Sequence, residues 1–490
     1  MPITEPELAL IPKFSMVIGG DLRGAGSGGG YDHIYAATGR KTVTLSLAGR
    51  DDVDAAVAAA RAGVAKWRAM PVNQRRNLLL AAAETIERHA DELARLTVVE
   101  NGNPILQTRH LPALLVEQFR YYAGWTDKLG GDVISTWHGP AHDYATYNPY
   151  GVVGAIIPWN GALYAAAMVL APALAAGNCV VMKPSELAPF APLRLAELLL
   201  EAGFPEGVVS VVPGGVEAGE ALASHPGVDK LQFVGSGPTA RKVLATAAAT
   251  LKPCGLELGG KSAVIVFDDA DLSMSPMEAL TGAFSANGQG CVNGTRLLVQ
   301  RGIYDAYLQQ LAGVAGCLPV GDPSNEATIL GPVISRAACD RILGEIGQAT
   351  ASGRSRIIAG GERLGGELAD GFFLPITVVA DVDNDARLAQ HEVFGPVLTV
   401  TPFDTEEEAI TLANNTAYGL GGYIHTENLS RAHRVAAALD AGMIQVNGGG
   451  GMSAATPFGG YKNSGYGRLG GLAGLREFSQ IKNVYMNIRQ

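Results

Sequence analysis

The chain has 490 residues, of which 47% are hydrophobic and 17% charged, so it is long enough for two or three domains and too apolar to be intrinsically disordered. Its net charge of −10, without a dense lysine and arginine run, argues against nucleic acid as a partner. Five scattered cysteines argue against a disulfide framework, and the N-terminus does not read as a secretory signal, so we expect a cytoplasmic protein.

The first hundred residues combine a β-rich segment with amphipathic helices. Between Arg50 and Thr97 apolar and charged residues alternate at helical spacing, which predicts two long helices. An uncharged stretch from Tyr144 to Met182 follows and is long enough to span a bilayer. Pro158, Pro172 and Gly177 interrupt it at intervals typical of strands and helices, so we predict buried βαβ structure and no membrane segment.

From Tyr150 onward, apolar β runs alternate with helical stretches in two successive series, the second beginning near Ser262. This alternation predicts an α/β fold with two doubly wound, Rossmann-like domains. Residues 1–126 and 148–258 are assigned to a nucleotide-binding domain and residues 259–462 to a second domain. Residues 127–147 and 463–490 are assigned to a small β arm. Its last segment, IKNVYMNI, has no partner nearby in sequence, and pairing with another subunit would cover its edge.

The sequence GSGPTA at 235–240 follows a strand and precedes a helix, as a dinucleotide-binding turn does. Glu257 lies about twenty residues further on, where such a fold places the acid that holds the ribose. The apolar setting of Glu257, LELGGK, points to a different role for this carboxylate. At this point both roles remain open.

Cys291 lies in NGQGC, among small residues that leave a thiol accessible to a ligand. The other cysteines, Cys179, Cys254, Cys317 and Cys339, lie in apolar strand-like or helix-like surroundings and are expected to be inert. Two histidines, His138 and His142, have the spacing of a helical metal pair. Gly139 and Pro140 between them forbid a regular helix, so we expect loop histidines and no metal.

Seven motifs occur together and in order along the chain. They are PWN (158–160), KPSE (183–186), FVGS (233–236), LELGGK (256–261), NGQGC (287–291), EVFGP (392–396) and PFGGYKNSGYGR (457–468). With them the chain resembles the aldehyde dehydrogenase superfamily over nearly its whole length. The resemblance implies an oxidoreductase that converts an aldehyde to a carboxylic acid.

The resemblance also implies three catalytic residues. Cys291 is the expected nucleophile, which attacks the aldehyde carbon and ends as a thioester. Asn160 is expected to donate its side-chain amide to the developing oxyanion. Glu257 matches the general base that activates the hydrolytic water, which needs a pKa raised by apolar surroundings.

The cofactor that the resemblance implies is NAD. Glu186, with Lys183, is expected to hold the adenosine ribose and to repel a 2′-phosphate, which favours NAD over NADP. Gly235 and Ser236 are expected to open the helix that meets the pyrophosphate. The full set of expected cofactor residues is Ile157, Pro158, Trp159, Lys183, Ser185, Glu186, Gly215, Phe233, Gly235, Ser236, Leu258, Glu392 and Phe394.

Two departures from the family pattern are visible. Leu469 stands where many members carry a glutamate, and Val169 where a lysine is common, so both partners of a proposed proton relay are missing together. The expected substrate pocket carries no charge, which favours an uncharged apolar or aromatic aldehyde. Its residues are Gly161, Ala165, Met168, Gly290, Val292 and Phe458.

Two other functions stay open. An acylating enzyme passes the thioester to coenzyme A or phosphate, and such families usually lack the base that Glu257 supplies. A catalytically silent protein of the same fold is the other alternative. For an enzyme of this kind we expect a homodimer or homotetramer.

Overall fold

The computed structural model describes residues 3–137, 139–351, 353–448 and 453–488. Its helices are α1 (Arg50–Ala69), α2 (Val72–Arg88), α3 (Ala90–Asn101), α4 (Ile105–Thr108), α5 (Leu111–Ala123), α6 (Ala162–Ala176), α7 (Phe190–Glu201), α8 (Val216–Ser224), α9 (Gly237–Ala248), α10 (Ser275–Phe284), α11 (Tyr304–Cys317), α12 (Arg336–Thr350), α13 (Arg387–Gln390), α14 (Glu406–Asn414), α15 (Leu429–Ala438) and α16 (Gly471–Glu477).

The strands form four sheets. They are β1 (Met16–Ile18), β2 (Asp21–Arg23), β3 (Gly30–Tyr35), β4 (Arg40–Ser46), β5 (Val133–Ile134), β6 (Ala141–Pro149), β7 (Val152–Ile157), β8 (Cys179–Pro184), β9 (Val209–Val211), β10 (Lys230–Gly235), β11 (Cys254–Leu258), β12 (Ala263–Val266), β13 (Arg296–Gln300), β14 (Arg356–Ala359), β15 (Thr377–Ala380), β16 (Val397–Phe403), β17 (Gly421–His425), β18 (Met443–Val446), β19 (Gly465–Tyr466) and β20 (Ser479–Asn487).

The larger sheet has the strand order β19-β11-β10-β7-β8-β9-β1-β2, and strands β7 to β11 within it run parallel. Every residue of β7 and β8 is buried, because helices cover both faces of such a sheet. The second sheet has the order β14-β15-β16-β13-β12-β17-β18. The predicted α/β class with two Rossmann-like sheets is therefore confirmed.

The chain passes from the first of these sheets to the second between β11 and β12, across Gly259 and Gly260. The predicted second series, with the β runs SAVIVF, TRLLVQ, PVLTV, GGYIH and GMIQVN, lies in the second sheet as β12, β13, β16, β17 and β18. The uncharged stretch from Tyr144 to Met182 is divided among β6, β7, α6 and β8. In the described part of the chain, no helix is long and apolar enough to cross a membrane.

Two local expectations differ from the structure. Three helices, not two, cover residues 50–101, because the backbone leaves helical geometry at His89 (φ −105°, ψ 18°) between α2 and α3. Asp91 and Glu92 then occupy the first turn of α3, where the helix dipole favours negative charge. His142 lies in strand β6 and not in a loop, while His138 lies outside the described residues.

The terminal strand β20 does have a partner in its own chain. It pairs antiparallel with β6 over nine residues, from Ser479 opposite Pro149 to Asn487 opposite Ala141. The resulting sheet has the order β20-β6-β5, and no strand of the described residues pairs with the other edge of β20. Its assignment as an oligomerisation arm, and the domain limits, remain predictions.

Candidate active site

The candidate residues gather where strands of the larger sheet end and strands of the second sheet begin. The PWN motif follows β7, the FVGS motif ends β10, and LELGGK ends β11. Cys291 and Glu392 come from the loops before β13 and β16 of the other sheet. In parallel sheets, the carboxyl ends of the strands form the crevice in which ligands bind, so this arrangement places the motifs at a site between the two sheets.

Asn160 is held in a fixed position beside the Cys291 loop. Its side-chain amide donates to the carbonyl of Gln289 at 2.7 Å, two residues before Cys291. Its own carbonyl accepts from the side-chain amide of Asn103 at 3.2 Å. The amide proposed for the oxyanion is therefore already directed toward the loop that carries the candidate nucleophile.

Cys291 is half-buried by its solvent-accessible surface, and its thiol is surrounded by protein atoms. Burial, with the nearby carboxylates of Glu392 and Glu257, raises the pKa of this thiol to about 12. Such a thiol is neutral at ordinary pH, and its proton must be removed before it can act as a nucleophile. Glu392 and Glu257 are the two carboxylates that act electrostatically on this sulfur.

Glu257 is a buried carboxylate without a partner. It lies on β11, its side chain is 3% exposed, and neither carboxylate oxygen has a hydrogen-bond partner among the described residues. Burial raises the pKa of Glu257 well above its usual value, with Arg468 opposing that shift and Glu477 adding to it. A carboxyl held in this way can accept a proton near neutral pH, unlike an exposed glutamate.

Two adjacent glycines allow the loops to approach one another. The amide of Gly260 donates to Glu392 Oε1 at 3.0 Å. A Cβ on Gly259 would lie 2.0 Å from Glu392 Oε2, and one on Gly260 would lie 2.6 Å from the Cys291 carbonyl oxygen. Larger side chains here would push Glu392 and Cys291 away, which explains the double glycine in LELGGK. Burial raises the pKa of Glu392 to about 7.

The candidate cofactor residues provide both hydrogen-bonding groups and open space. Lys183 is buried, and its ammonium donates to the Gly214 carbonyl next to Gly215. A Cβ on Gly215 would meet nothing within 4 Å. Burial lowers the pKa of Lys183, and the half-buried carboxylate of Glu186 partly opposes this shift.

The predicted dinucleotide turn has the expected context. Gly235 ends β10, and Ser236 is the N-cap of α9 with its hydroxyl beside Thr239 rather than on a backbone amide. A Cβ on Gly235 would lie 2.7 Å from the ring of Phe233. The free amides at the start of α9 are thus available to an anion such as a pyrophosphate. Leu258 ends the neighbouring strand and pairs with Gly235.

Trp159 and Phe394 join the two halves of the site. Their rings meet edge to face with centroids 5.4 Å apart. Trp159 follows Ile157 and Pro158 at the end of β7. After β8, the Ser185 hydroxyl lies 3.3 Å from Glu186 Oε2. These contacts order the crevice around the position predicted for NAD.

The expected substrate residues line one face of α6 and the Cys291 loop. Gly161, the N-cap of α6, and Ala165 in the first turn of the helix are half-buried, and Met168 is 7% exposed. A Cβ on Gly161 would meet nothing within 4 Å, so the space beside it is open. Gly290 packs against Asn293, Val292 accepts from the Tyr423 hydroxyl at 2.8 Å, and Phe458 is half-buried.

Sequence reasoning missed a group of buried asparagines that supports this loop. Asn287 adopts a left-handed backbone (φ +58°), and its amide donates to the carbonyls of Gly102 and Pro332, each at 2.9 Å. It also donates to Asn103 Oδ1 at 3.3 Å, while Asn103 supports Asn160. The asparagine in NGQGC is the one local signal, because this residue tolerates left-handed geometry.

The four remaining cysteines are free, and their burial matches the prediction only in part. Cys179 and Cys339 are buried, whereas Cys254 is half-buried and Cys317 is exposed at the end of α11. The apolar surroundings predicted for Cys317 are therefore wrong, because this end of the helix faces solvent. Among the described residues, no group of three or more histidine, cysteine or acidic side chains could hold a metal.

Comparison with known proteins decides the family. The model of the aldehyde dehydrogenase family matches residues 24–484. The chain belongs to this family. Among individual relatives, the Bacillus subtilis (strain 168) protein DhaS is 39% identical over 478 residues, covering 96% of this chain and 95% of that protein.

Solved structures agree with this aldehyde dehydrogenase fold. PnpE from Pseudomonas sp. WBC-3 is 40% identical, with a TM-score of 0.94 over 97% of this chain and 98% of PnpE. The NAD+ complex of an aldehyde dehydrogenase from Bacillus cereus is 37% identical, with a TM-score of 0.95 over all of both chains. The structural similarity to these two proteins therefore extends over nearly the whole chain.

Proposed function

We propose that this family member oxidises an uncharged apolar or aromatic aldehyde to its carboxylic acid, with NAD as hydride acceptor and water as the final nucleophile. The observation that carries the hydrolytic assignment is the buried, unpartnered carboxylate of Glu257 near Cys291. Acylating families usually lack a general base at this position. NAD is supported by the NAD+ complexes of the related Bacillus cereus enzyme and of PnpE.

The residues present fit NAD. The open Gly215, the uncapped amides at the start of α9 and the half-buried carboxylate of Glu186 suit a pyrophosphate and a ribose with free hydroxyls. Glu392 is assigned to the second ribose, and Phe394 to the side of the nicotinamide. When bound, NAD supplies the acceptor for the hydride that leaves the substrate carbon.

The first chemical step belongs to Cys291. Its thiol loses a proton to Glu257 directly or through water, and the thiolate attacks the aldehyde carbon to form a thiohemiacetal. The Asn160 amide and the Cys291 backbone N–H donate to the oxyanion, and one such donor is typically worth about 3 kcal/mol. Loss of hydride from the same carbon leaves a thioester on Cys291.

The second step belongs to Glu257. Glu257 first releases the proton of Cys291 to solvent. Its carboxylate then takes a proton from water, and the resulting hydroxide attacks the thioester carbonyl. The C–S bond then breaks, the acid leaves, and the Cys291 thiolate takes the proton that Glu257 removed from water. A carboxyl with an ordinary pKa would be too weak a base for this step, so the burial of Glu257 serves its role.

A pair of variants tests the mechanism. Cys291→Ala should abolish NADH formation while NAD binding persists, because the nucleophile does not hold the cofactor. Glu257→Gln should give at most one NADH per site, formed more slowly than in the parent because Cys291 loses its proton to Glu257, and then stall at the thioester. Stopped-flow absorbance measures NADH formation, and intact-protein mass spectrometry detects the thioester. Normal turnover by Cys291→Ala would contradict the covalent route, and turnover that requires coenzyme A or phosphate would make the enzyme acylating.

The proposed substrate class rests on the residues beside Gly161 and Ala165. No lysine or arginine belongs to this set, so a substrate carboxylate would lose its hydration without a compensating charge. A panel of purified aldehydes, compared by kcat/KM from NADH absorbance, should favour aromatic and medium-chain members. A succinic semialdehyde preference would contradict the assignment.

A further inference from the structure

The proposed oxyanion donor and the proposed nucleophile come from loops of different sheets. Asn160 follows β7 of the larger sheet, and Cys291 precedes β13 of the second sheet. The oxyanion forms on the carbon that is bonded to the sulfur, so the Asn160 amide stabilises it only when the amide lies about 3 Å from that oxygen. A displacement of about 1 Å can lower a rate about a hundredfold. The reaction therefore needs a structure that holds the two loops together.

Asn103, in the connection between α3 and α4, contacts both of these loops. It is a buried residue, 7% exposed, and its Nδ2 donates to the Asn160 carbonyl at 3.2 Å. Its Oδ1 accepts from Asn287 Nδ2 at 3.3 Å, and Asn287 lies four residues before Cys291. The donor and the acceptor of one side-chain amide are thus both used between the two loops.

A second contact between the same loops closes a ring of hydrogen bonds. Asn160 Nδ2 donates to the Gln289 carbonyl at 2.7 Å, and Gln289 is two residues from Asn287 along the chain. The ring therefore runs from the Asn160 side chain through Gln289 and Asn287 to Asn103, and returns to the Asn160 carbonyl. An amide nitrogen carries two hydrogens, so the Asn160 side chain has one left for the oxyanion. Because the ring holds Asn160 at its side chain and at its carbonyl, it fixes the direction of that hydrogen.

The two partners of Asn103 depend on it to different degrees. Asn287 is fully buried, and its amide also donates to two backbone carbonyls, each at 2.9 Å, while its Oδ1 accepts from a backbone amide at 2.7 Å. Without Asn103, the Asn160 carbonyl would keep only the longer contact from Asn101 Nδ2, at 3.5 Å. Loss of the Asn103 side chain should therefore loosen Asn160 and leave the fold of the Cys291 loop intact.

We infer that Asn103 is a positioning residue for the oxyanion site, which sets the distance between the Asn160 amide and the Cys291 sulfur by holding both loops. The inference rests on the proposed role of Asn160 in the reaction. Asn103 acts through Asn160 and Asn287, and it belongs to none of the seven ordered motifs. The connection between α3 and α4 thereby takes part in the chemistry of a site whose other groups lie more than fifty residues further along the chain.

The rate of the first turnover tests the inference, measured by stopped-flow NADH absorbance with saturating NAD and benzaldehyde. Asn103→Leu removes both hydrogen bonds at nearly the same volume. It should lower the rate at saturation about tenfold or more, and leave the KM for benzaldehyde and the Kd for NAD unchanged. Asn178→Leu is the matched control, because Asn178 is fully buried and donates to the carbonyls of Ala173 and Phe478. It should lower the melting temperature and keep the parental rate.

A double-mutant cycle separates positioning from a general loss of structure. If Asn103 acts through Asn160, Asn103→Leu should slow the parent and have little further effect in Asn160→Ala. If a leucine variant does not fold, Asn103→Ser and Asn178→Ser replace the pair, since serine is too short to reach both partners. No loss in the parent, an equal loss in both backgrounds, or the same loss in the Asn178 control would overturn the inference. A parental rate in Asn160→Ala would contradict the proposed role of Asn160 itself, and the inference with it.

Discussion

The reactive groups of this site are individual residues whose ordinary acidity is changed by burial. The pKa of Glu257 is raised well above 4.5 and that of Cys291 to about 12. Deprotonated forms of both groups become more common as the pH rises. The rate of the first turnover is therefore expected to increase from neutral into alkaline pH, with the limb set by Glu257 absent in Glu257→Gln.

The same residue makes stability depend on pH. The pKa of Glu257 is higher in the folded state than in the unfolded state. The contribution of the protonated carboxyl to the free energy of unfolding is therefore fully present below about pH 4.5 and is lost as the pH rises through the raised pKa. Glutamine cannot ionise, so the melting temperature of Glu257→Gln should exceed that of the parent by a margin that grows from about pH 5 to pH 9. Exposed Glu220→Gln is the control. A margin independent of pH would contradict the buried, uncharged carboxyl.

Cofactor choice is also predicted at the level of one residue. Half-buried Glu186 lies near Lys183, where a carboxylate accepts from ribose hydroxyls and repels a 2′-phosphate. The parent should prefer NAD, and Glu186→Ser should narrow the ratio of kcat/KM for NAD over NADP. Steady-state rates with both cofactors measure this. Equal efficiency with NAD and NADP in the parent would contradict the role of Glu186.

At the scale of elements, helix α6 and the segment after β19 carry apolar residues at the two positions where the family resemblance implies a lysine and a glutamate. Val169 on α6 is fully buried, Leu469 is 2% exposed, and both belong to the core that packs against the larger sheet. Leu469 also forms a backbone bridge with Phe458. Apolar packing at both positions removes the desolvation cost that a charged pair would carry here.

Leu469→Glu alone should therefore lose several kcal/mol of stability, as a lone buried charge does, without a gain in kcat. Combining it with Val169→Lys should recover part of the melting temperature. Leu469→Met is the matched apolar control. We expect protons to leave Glu257 through ordered water and backbone carbonyls, so a stable and faster Leu469→Glu enzyme would show that a carboxylate here acts independently of a lysine.

At the scale of the whole molecule, the sheet of β20, β6 and β5 leaves large apolar side chains exposed to solvent. Val133 is 77% exposed, and Tyr485 and Met486 are each 50% exposed, on a sheet whose outer edge along β20 is unpaired. Apolar surface and an open edge together favour association with another chain. We expect a homodimer or homotetramer assembled through this sheet.

A double variant tests this assembly. Tyr485→Lys with Met486→Lys should shift the protein toward monomers, because charged side chains on an edge strand oppose pairing. Asn487→Lys, at an already polar and exposed position of the same strand, is the control for added charge. Light scattering after size-exclusion chromatography gives the mass of each. A parent that is monomeric, or an oligomer unaffected by the double variant, would contradict the role of this sheet.

The sequence by itself determined most of the buried parallel strands and the family, but not the number of helices over residues 50–101. Strands such as β7 and β8 could be predicted because their continuous apolar runs reflect burial on both faces, and that information lies in neighbouring residues. The ordered motifs identified the family in the same local way. The break at His89 was missed because the helical pattern of apolar residues continues across it.

Only the tertiary structure decided which distant segments meet. Strand β20 pairs with β6 more than three hundred residues away, and no local pattern specifies such a register. The unpartnered carboxylate of Glu257 and the support of Asn160 by Asn103 are likewise relations between separate elements. Desolvation and hydrogen bonding depend on what surrounds a side chain in space, and chain folding brings those surroundings together from positions that the sequence keeps far apart.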